Sequence, residues 1–246
     1  MVFEYIKSGW QTYKSNFMSF IIAELIALVI VSAIAGIGTG IIFTTMGISS
    51  FAELRSPELT ITRIVSVFPL FVGLSTSLIF YLIAALFVAL FTTGLFCMAA
   101  EALRGSTEFK TMFSAAKEFG IIGILTSIVI WLIALILMFI LIAALGVVFP
   151  VIGSVIGAVL FLLIIVLFSL TYPGIVIDNI GPIEAIERSI NVTKKNYPDV
   201  FALLVFYVGI SLALNLIPLF GQVLVYFIIM PMSFISLVFF YKRNRI

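Results

Sequence analysis

The chain has 246 residues, of which 63% are A, V, I, L, M, F, W, Y or C and only 10% are D, E, K or R, where a soluble domain carries about 25% charged residues. A mean hydropathy of +1.35 excludes a water-soluble globule, and a formal charge of +2 is too weak a field to hold a nucleic-acid backbone. With no histidine and one cysteine, Cys97, the chain lacks the residues for a His-based metal site, a Ser-His or Cys-His dyad, or a zinc or iron-sulfur cluster. No enzyme, metal or cofactor is therefore expected, and Cys97, set in an apolar run, reads as a small packed hydrophobe.

Membrane spans follow from the charge-free runs, because about 20 apolar helical residues cross a hydrocarbon core of about 30 Å. The first run, Phe17 to Phe43, is interrupted only by Glu24. It is too long and begins too late for a cleaved signal, so it reads as a permanent span. Ile64 to Ala100 holds 37 residues without a charge, one span with Pro69 near its start, where a missing N–H costs little. Phe119 to Ile177 holds 59 such residues, too many for one helix, and breaks at Gly146–Pro150. Val200 to Tyr241 breaks in the same way at Pro218–Gly221. The expected fold is an all-α integral membrane domain occupying 1–246, with six transmembrane helices near 17–43, 69–98, 120–145, 151–172, 200–217 and 221–241.

An even number of spans puts both termini on one side, with the segments 99–119 and 173–199. That side carries eleven of the thirteen basic residues, leaving Arg55 and Arg63 opposite. The positive-inside rule makes it cytoplasmic in a multi-pass protein of the cell membrane. Eight acids share this side, so 19 of the 24 charges lie on one face, and Glu24 alone lies in the membrane.

A repeat organises the same face. Phe3, Ile6, Trp10, Tyr13 and Phe17 recur at spacings of 3, 4, 3 and 4, as do Ile183, Ile186, Ile190, Thr193 and Tyr197. Each set is an apolar stripe on an amphipathic helix. The two helices superimpose under a shift of 180 positions, and Phe109, Phe113 and Lys117 form a weaker middle copy at the places of Ile6, Trp10 and Lys14. The unit is an interfacial amphipathic helix followed by a helical hairpin, three times in parallel, as pseudo-repeats 1–100, 101–172 and 173–246. Two readings of the amphipathic helices stand open. Each is an elbow buried against its own hairpin, or together they form a collar whose Lys14, Lys117, Lys194 and Arg188 contact anionic lipid head groups.

The stretch 173–189 (PGIVIDNIGPIEAIERS), continued by Thr193, Lys194, Lys195 and Asn196, resembles the membrane domain attached to some glycerophosphodiester phosphodiesterases, and the related stand-alone multi-pass proteins of prokaryotes. The segment 101–105 (EALRG) ahead of a short amphipathic helix is similar to what those proteins show after their second span. The resemblance implies the architecture of nearly the whole chain. The enzymes' catalytic domain, with its metal-binding histidines and acids, has no counterpart in these residues, so phosphodiesterase activity is not implied.

Glu24 is the candidate intramembrane site, since a carboxylate in the bilayer is costly. It lies seven residues past Phe17, about 10 Å along a helix rising 1.5 Å per residue, so a structural role near the inner head groups and a site role are both open. Ser32, Gly36 and Gly40, Gly123 and Ser127, and Gly153 and Gly157 form small-residue faces expected to seal helix contacts within the bundle rather than to make a homo-oligomer. The functional expectation is a non-catalytic, lipid-interacting or scaffolding protein whose partners are membrane lipids. The alternative is a small-solute or lipid transporter or channel with Glu24 in its pathway.

Overall fold

A computed structural model of the chain describes residues 2–55, 60–141, 150–218 and 220–245, with the side chains of 47–55, 60–70, 138, 140, 141, 150–156 and 158 left aside. The described residues are helical without a strand: α1 (Val2–Ser15), α2 (Phe17–Arg55), α3 (Thr60–Ala102), α4 (Lys110–Leu141), α5 (Pro150–Phe168), α6 (Thr171–Asp178), α7 (Pro182–Lys195), α8 (Tyr197–Asn215) and α9 (Phe220–Leu224). A π-turn (Val225–Ile229) then leads into α10 (Met230–Asn244). Six stretches are long and apolar enough to cross a membrane: Phe17–Met46, Phe71–Ala102, Lys110–Leu137, Val159–Asp178, Tyr197–Asn215 and Phe220–Asn244. Large apolar side chains along them, such as Ile121, Trp131 and Leu212, are exposed, which only a lipid solvent tolerates on this scale. The protein is a multi-pass membrane protein.

The 180-residue repeat is visible in the backbone. α1 ends at Ser15 and α7 at Lys195, while α2 and α8 begin at Phe17 and Tyr197. The residue between is asparagine in both, and it closes the turn the same way. The Asn16 amide N–H donates to the Tyr13 carbonyl (3.0 Å) and that of Asn196 to the Thr193 carbonyl (3.1 Å). Their side-chain amides donate one turn back, to the carbonyls of Thr12 (3.1 Å) and Val192 (3.0 Å). An asparagine that competes for local backbone groups in this way breaks a helix into an elbow without ending it. The middle unit lacks this residue. Its amphipathic turns, from Lys110 through Phe113 and Lys117, run straight into the span as the first part of α4.

Other boundaries differ from the sequence reading. α3 begins at Thr60, so Pro69 lies inside the helix rather than at its start, and α2 extends past Phe43 to Arg55. The break at Pro218 is present, whereas the one at Gly146–Pro150 lies, apart from Pro150, outside the described residues. A further break within the fourth span, between Phe168 and Thr171, separates α5 from α6. α6 stops at Asn179, whose backbone is left-handed (φ 52°) and whose N–H returns to the Ile175 carbonyl. Asparagine accepts that conformation at low cost. Gly181 and Pro182 then start α7, with proline in the first turn where no N–H is needed.

The chain forms two compact units, residues 25–88 and residues 1–24 with 89–246. In the smaller one, the outer halves of α2 and α3 meet at Gly38, where a Cβ would lie 3.1 Å from the Phe80 Cβ. Thr39 and Tyr81 share a hydrogen bond nearby (2.8 Å). The predicted Ser32–Gly36–Gly40 face is exposed, and nothing lies within 4 Å of a Cβ on Gly36 or Gly40. Gly157 is equally free of close neighbours, and the side-chain face at Gly153 lies outside the described residues. Gly123 and Ser127 do make their contacts, Gly123 against Thr93 and Ser127 in a short hydrogen bond with Tyr172.

The larger unit holds the best-packed core, and its fully buried side chains, among them Tyr5, Tyr13, Phe20, Met98, Met112, Leu170, Ile235, Phe240 and Tyr241, gather in turns adjoining the basic loops. α1 packs mainly on α10 rather than on its own hairpin. The face it buries is Tyr5, Gly9 and Tyr13, continued by Asn16 and Phe20. Under the 180-residue shift these become Ala185, Ser189, Thr193, Asn196 and Val200, all buried but Asn196, which is half-buried. The predicted stripes are covered only in part: Tyr13, Ile186 and Thr193 are buried, and Ile6, Ile190 and Tyr197 half-buried. Phe3, Trp10, Phe17 and Ile183 are exposed, which leaves each elbow helix with one face on protein, one apolar face for lipid and one charged face for water.

Candidate functional site

Two places in the larger unit carry unusual chemistry. The first is built around Tyr13 and Glu24. Pro231, near the start of α10, has no N–H to offer the carbonyl four residues earlier, that of Phe227. Tyr13 supplies the missing donor, its hydroxyl donating to the Phe227 carbonyl at 2.5 Å. The π-turn across Val225–Ile229 is thereby pinned to α1, and such turns recur at functional positions. Burial, and after it the nearby Glu24 carboxylate, push the Tyr13 phenol up to about 12, so it remains a donor at every physiological pH.

Glu24 itself is 8% exposed, and neither carboxylate oxygen has a hydrogen-bond partner among the described residues. Glu24 is thus enclosed by the protein's own core. The architecture does not require it. The equivalent position in the third unit is Leu204, and the equivalent of Tyr13 is Thr193, yet the same elbow forms there. Glu24→Leu is accordingly expected to stabilise the protein, by about 1–3 kcal/mol, the scale of an intramembrane carboxylate's cost. Unfolding of the purified variant in detergent measures this, and a lowered midpoint would show that Glu24 is held by an internal partner.

The second place is the basic face. Three of its eight acids are spent on its arginines. Asp178 accepts from Arg188 (2.7 Å), from the Tyr241 hydroxyl (2.6 Å) and from Arg245. Arg188 also reaches Glu184 (3.1 Å), and Glu4 pairs with Arg243 (2.7 Å). The hydrogen bond to Asp178 holds the Arg188 guanidinium above its ordinary range. Arg188, expected at the lipid surface, is instead half of an internal latch joining the α6–α7 turn to the chain's last residues.

Glu101 is occupied too, accepting from the hydroxyls of Thr107 (2.7 Å) and Thr111 (2.6 Å). The same loop is stitched to the first elbow, where Asn16 Oδ1 accepts from the Thr107 N–H (2.8 Å) and Ser19 donates to the Thr107 carbonyl (2.7 Å). The lysines are left over. Lys14, Lys117 and Lys194 are exposed, as are Lys7, Lys110, Lys195 and Lys242, and none makes an ion pair among the described residues. Lys14 and Lys194 occupy equivalent positions on α1 and α7.

A family model matches residues 62–240 of the chain. The chain belongs to that family, described as a domain of unknown function (DUF7847). The matched region covers α4 to α9, most of α3 and most of α10, and it begins after the first elbow and Glu24. No curated protein and no solved structure matches the chain. Among the described residues no group of three or more Cys, Asp or Glu side chains is placed to hold a metal ion.

The sequence singled out Glu24 and the lysines, but it missed Tyr13 and Asp178 as polar anchors. Tyr13 was absorbed into an apolar stripe, although Pro231 inside the last span signals an orphan carbonyl needing a donor. Asp178 lies next to Asn179-Ile180-Gly181-Pro182, a turn that a carboxylate commonly accompanies.

Proposed function

We propose that this DUF7847 protein is a non-catalytic membrane protein that engages anionic lipid head groups through the elbow helices of its basic face. The observation that carries the reading is the division of labour among charges: three of the four arginines on this face pair with acids, whereas all seven lysines are exposed and make no ion pair among the described residues. Exposed Phe3, Trp10 and Ile183 on the same helices, with Phe17 at the start of α2, supply apolar anchors at the depth where Trp and Phe favour the interface. The positive-inside rule places this face in the cytoplasm, with both termini, in the cell membrane.

Free lysines near an anionic surface contribute up to about 1 kcal/mol each. Changing Lys14, Lys117 and Lys194 together to Gln is expected to reduce co-purified anionic lipid severalfold without lowering the unfolding midpoint. Lipid content by mass spectrometry after identical extraction checks this, and an unchanged content would remove the collar from consideration.

A second reading is favoured by Glu24, an enclosed carboxylate without a hydrogen-bond partner among the described residues, in a place where the third unit has leucine. In that reading the protein moves a cation or protons across the membrane. Proteoliposome flux abolished by Glu24→Gln supports transport, and flux absent from the native protein excludes it.

A further inference from the structure

Resting on the lipid-binding reading, we propose that the basic face contains one built head-group site, a pocket that takes the phosphodiester of a single membrane lipid between α1 and the end of α10. The cavity measures about 320 Å³ and is lined by Ser8, Thr12, Leu103, Phe239, Lys242 and Arg243. That size falls at the lower end of ordinary small-ligand sites, which span about 300–1,000 Å³.

Apart from Arg243, its polar lining makes no side-chain hydrogen bond or ion pair among the described residues. Ser8 and Thr12 lie four residues apart, on one face of α1. Both are half-buried, and neither hydroxyl makes a hydrogen bond within the protein among the described residues. Lys242 is exposed and unpaired. Arg243 is fixed, one nitrogen on Glu4 (2.7 Å) and its guanidinium carbon 5.7 Å from the centre of the Tyr5 ring. A fork held in place loses less rotamer freedom on binding than a free one, and its remaining N–H groups suit a phosphate.

The local charge matches the ligand. Lys242 and Arg243 against Glu4 leave one net positive charge, the complement of one phosphodiester. The apolar walls, Leu103 and Phe239, argue for a lipid rather than a free ion, since they offer an inorganic phosphate nothing and an acyl-glycerol backbone a dry contact. An unpaired ammonium at Lys242 disfavours a head group that brings its own cation, so phosphatidylglycerol fits better than phosphatidylcholine.

Native mass spectrometry of the full chain, delipidated in detergent and titrated with short-chain phosphatidylglycerol, tests the site. One lipid per chain is expected to persist under activation that strips the others. A Thr12→Val, Lys242→Gln double variant is expected to weaken that retention at least tenfold, with Lys242→Gln alone, at an exposed position, giving a smaller loss in the same direction. The Lys14, Lys117 and Lys194 triple variant is expected to keep the single lipid while losing bulk anionic lipid.

Retention unchanged in both pocket variants overturns the site while leaving the collar intact. Anionic lipid unchanged in every variant overturns both. Displacement of the bound lipid by millimolar inorganic phosphate, or equal retention of phosphatidylcholine, overturns the assignment to an anionic lipid.

Discussion

Gly9→Val is expected to be among the most damaging single changes in the protein, costing about 3 kcal/mol or more. A Cβ at Gly9 would overlap the Ser236 hydroxyl, and it would lie 3.1 Å from the Met232 carbonyl and 3.4 Å from the Tyr207 hydroxyl. Two of these neighbours are committed groups. Ser236 donates to the Tyr5 carbonyl (3.1 Å) and shares a hydrogen bond with Tyr207 (2.6 Å), both buried. Overpacking costs about 1–3 kcal/mol, and each buried polar group left unpaired adds about 1–3 kcal/mol.

The third unit carries Ser189 at the equivalent position, where its hydroxyl finds the Leu167 carbonyl (2.7 Å). Even Gly9→Ser is expected to destabilise, because its Cβ would overlap the Ser236 hydroxyl. Gly36→Val and Gly40→Val, with nothing within 4 Å, are the matched controls and are expected to shift the unfolding midpoint little. Equal midpoints for Gly9→Val and the controls would show that α1 does not dock through Gly9.

Asp178→Ala is the second large effect, expected at about 2–3 kcal/mol. Removing one member of a buried pair costs about 3–5 kcal/mol. Asp178 is 10% exposed, but the arginines that face it are 37% and 38% exposed, so water screens part of the loss. The Tyr241 hydroxyl, fully buried and donating to Asp178 at 2.6 Å, is the group left without an acceptor. Asp178→Asn keeps an acceptor for it and is expected to recover about half the loss. Unfolding midpoints, with limited proteolysis of the C-terminal residues as a local readout, separate these outcomes. A C-terminus no more accessible in Asp178→Ala than in the native protein would mean that the latch does not hold it.

The spans were legible because a bilayer permits few alternatives: a chain must satisfy its backbone internally, so apolar length and charge breaks carry the topology. The elbow repeat was legible because the same apolar spacing of 3, 4, 3 and 4 recurs 180 positions apart. What the periodicity could not supply was direction. Of the stripe Phe3, Ile6, Trp10, Tyr13 and Phe17 only Tyr13 is buried, whereas Tyr5 and Gly9, which lie outside it, are buried. In lipid, apolarity no longer distinguishes the protein face from the solvent face, and small or hydrogen-bonding residues mark the contact instead. The small-residue faces failed by the converse route. Gly36 and Gly40 have the spacing of a contact and no neighbour, whereas Gly38, between them, has both.

The sequence by itself determined a six-span, lysine-bearing membrane domain with one carboxylate in its first span, because charge and hydropathy dictate depth without knowledge of contacts. Only the tertiary structure decided which charges are spent and which are free. Arg188 and Lys194 look alike along the chain, but Asp178, brought to the same turn by a left-handed asparagine, engages one and leaves the other exposed. It also decided that neither oxygen of Glu24 has a hydrogen-bond partner among the described residues. The nearby Tyr13 gives its hydroxyl instead to the Phe227 carbonyl, which a proline, 218 residues later in the chain than Tyr13, cannot serve.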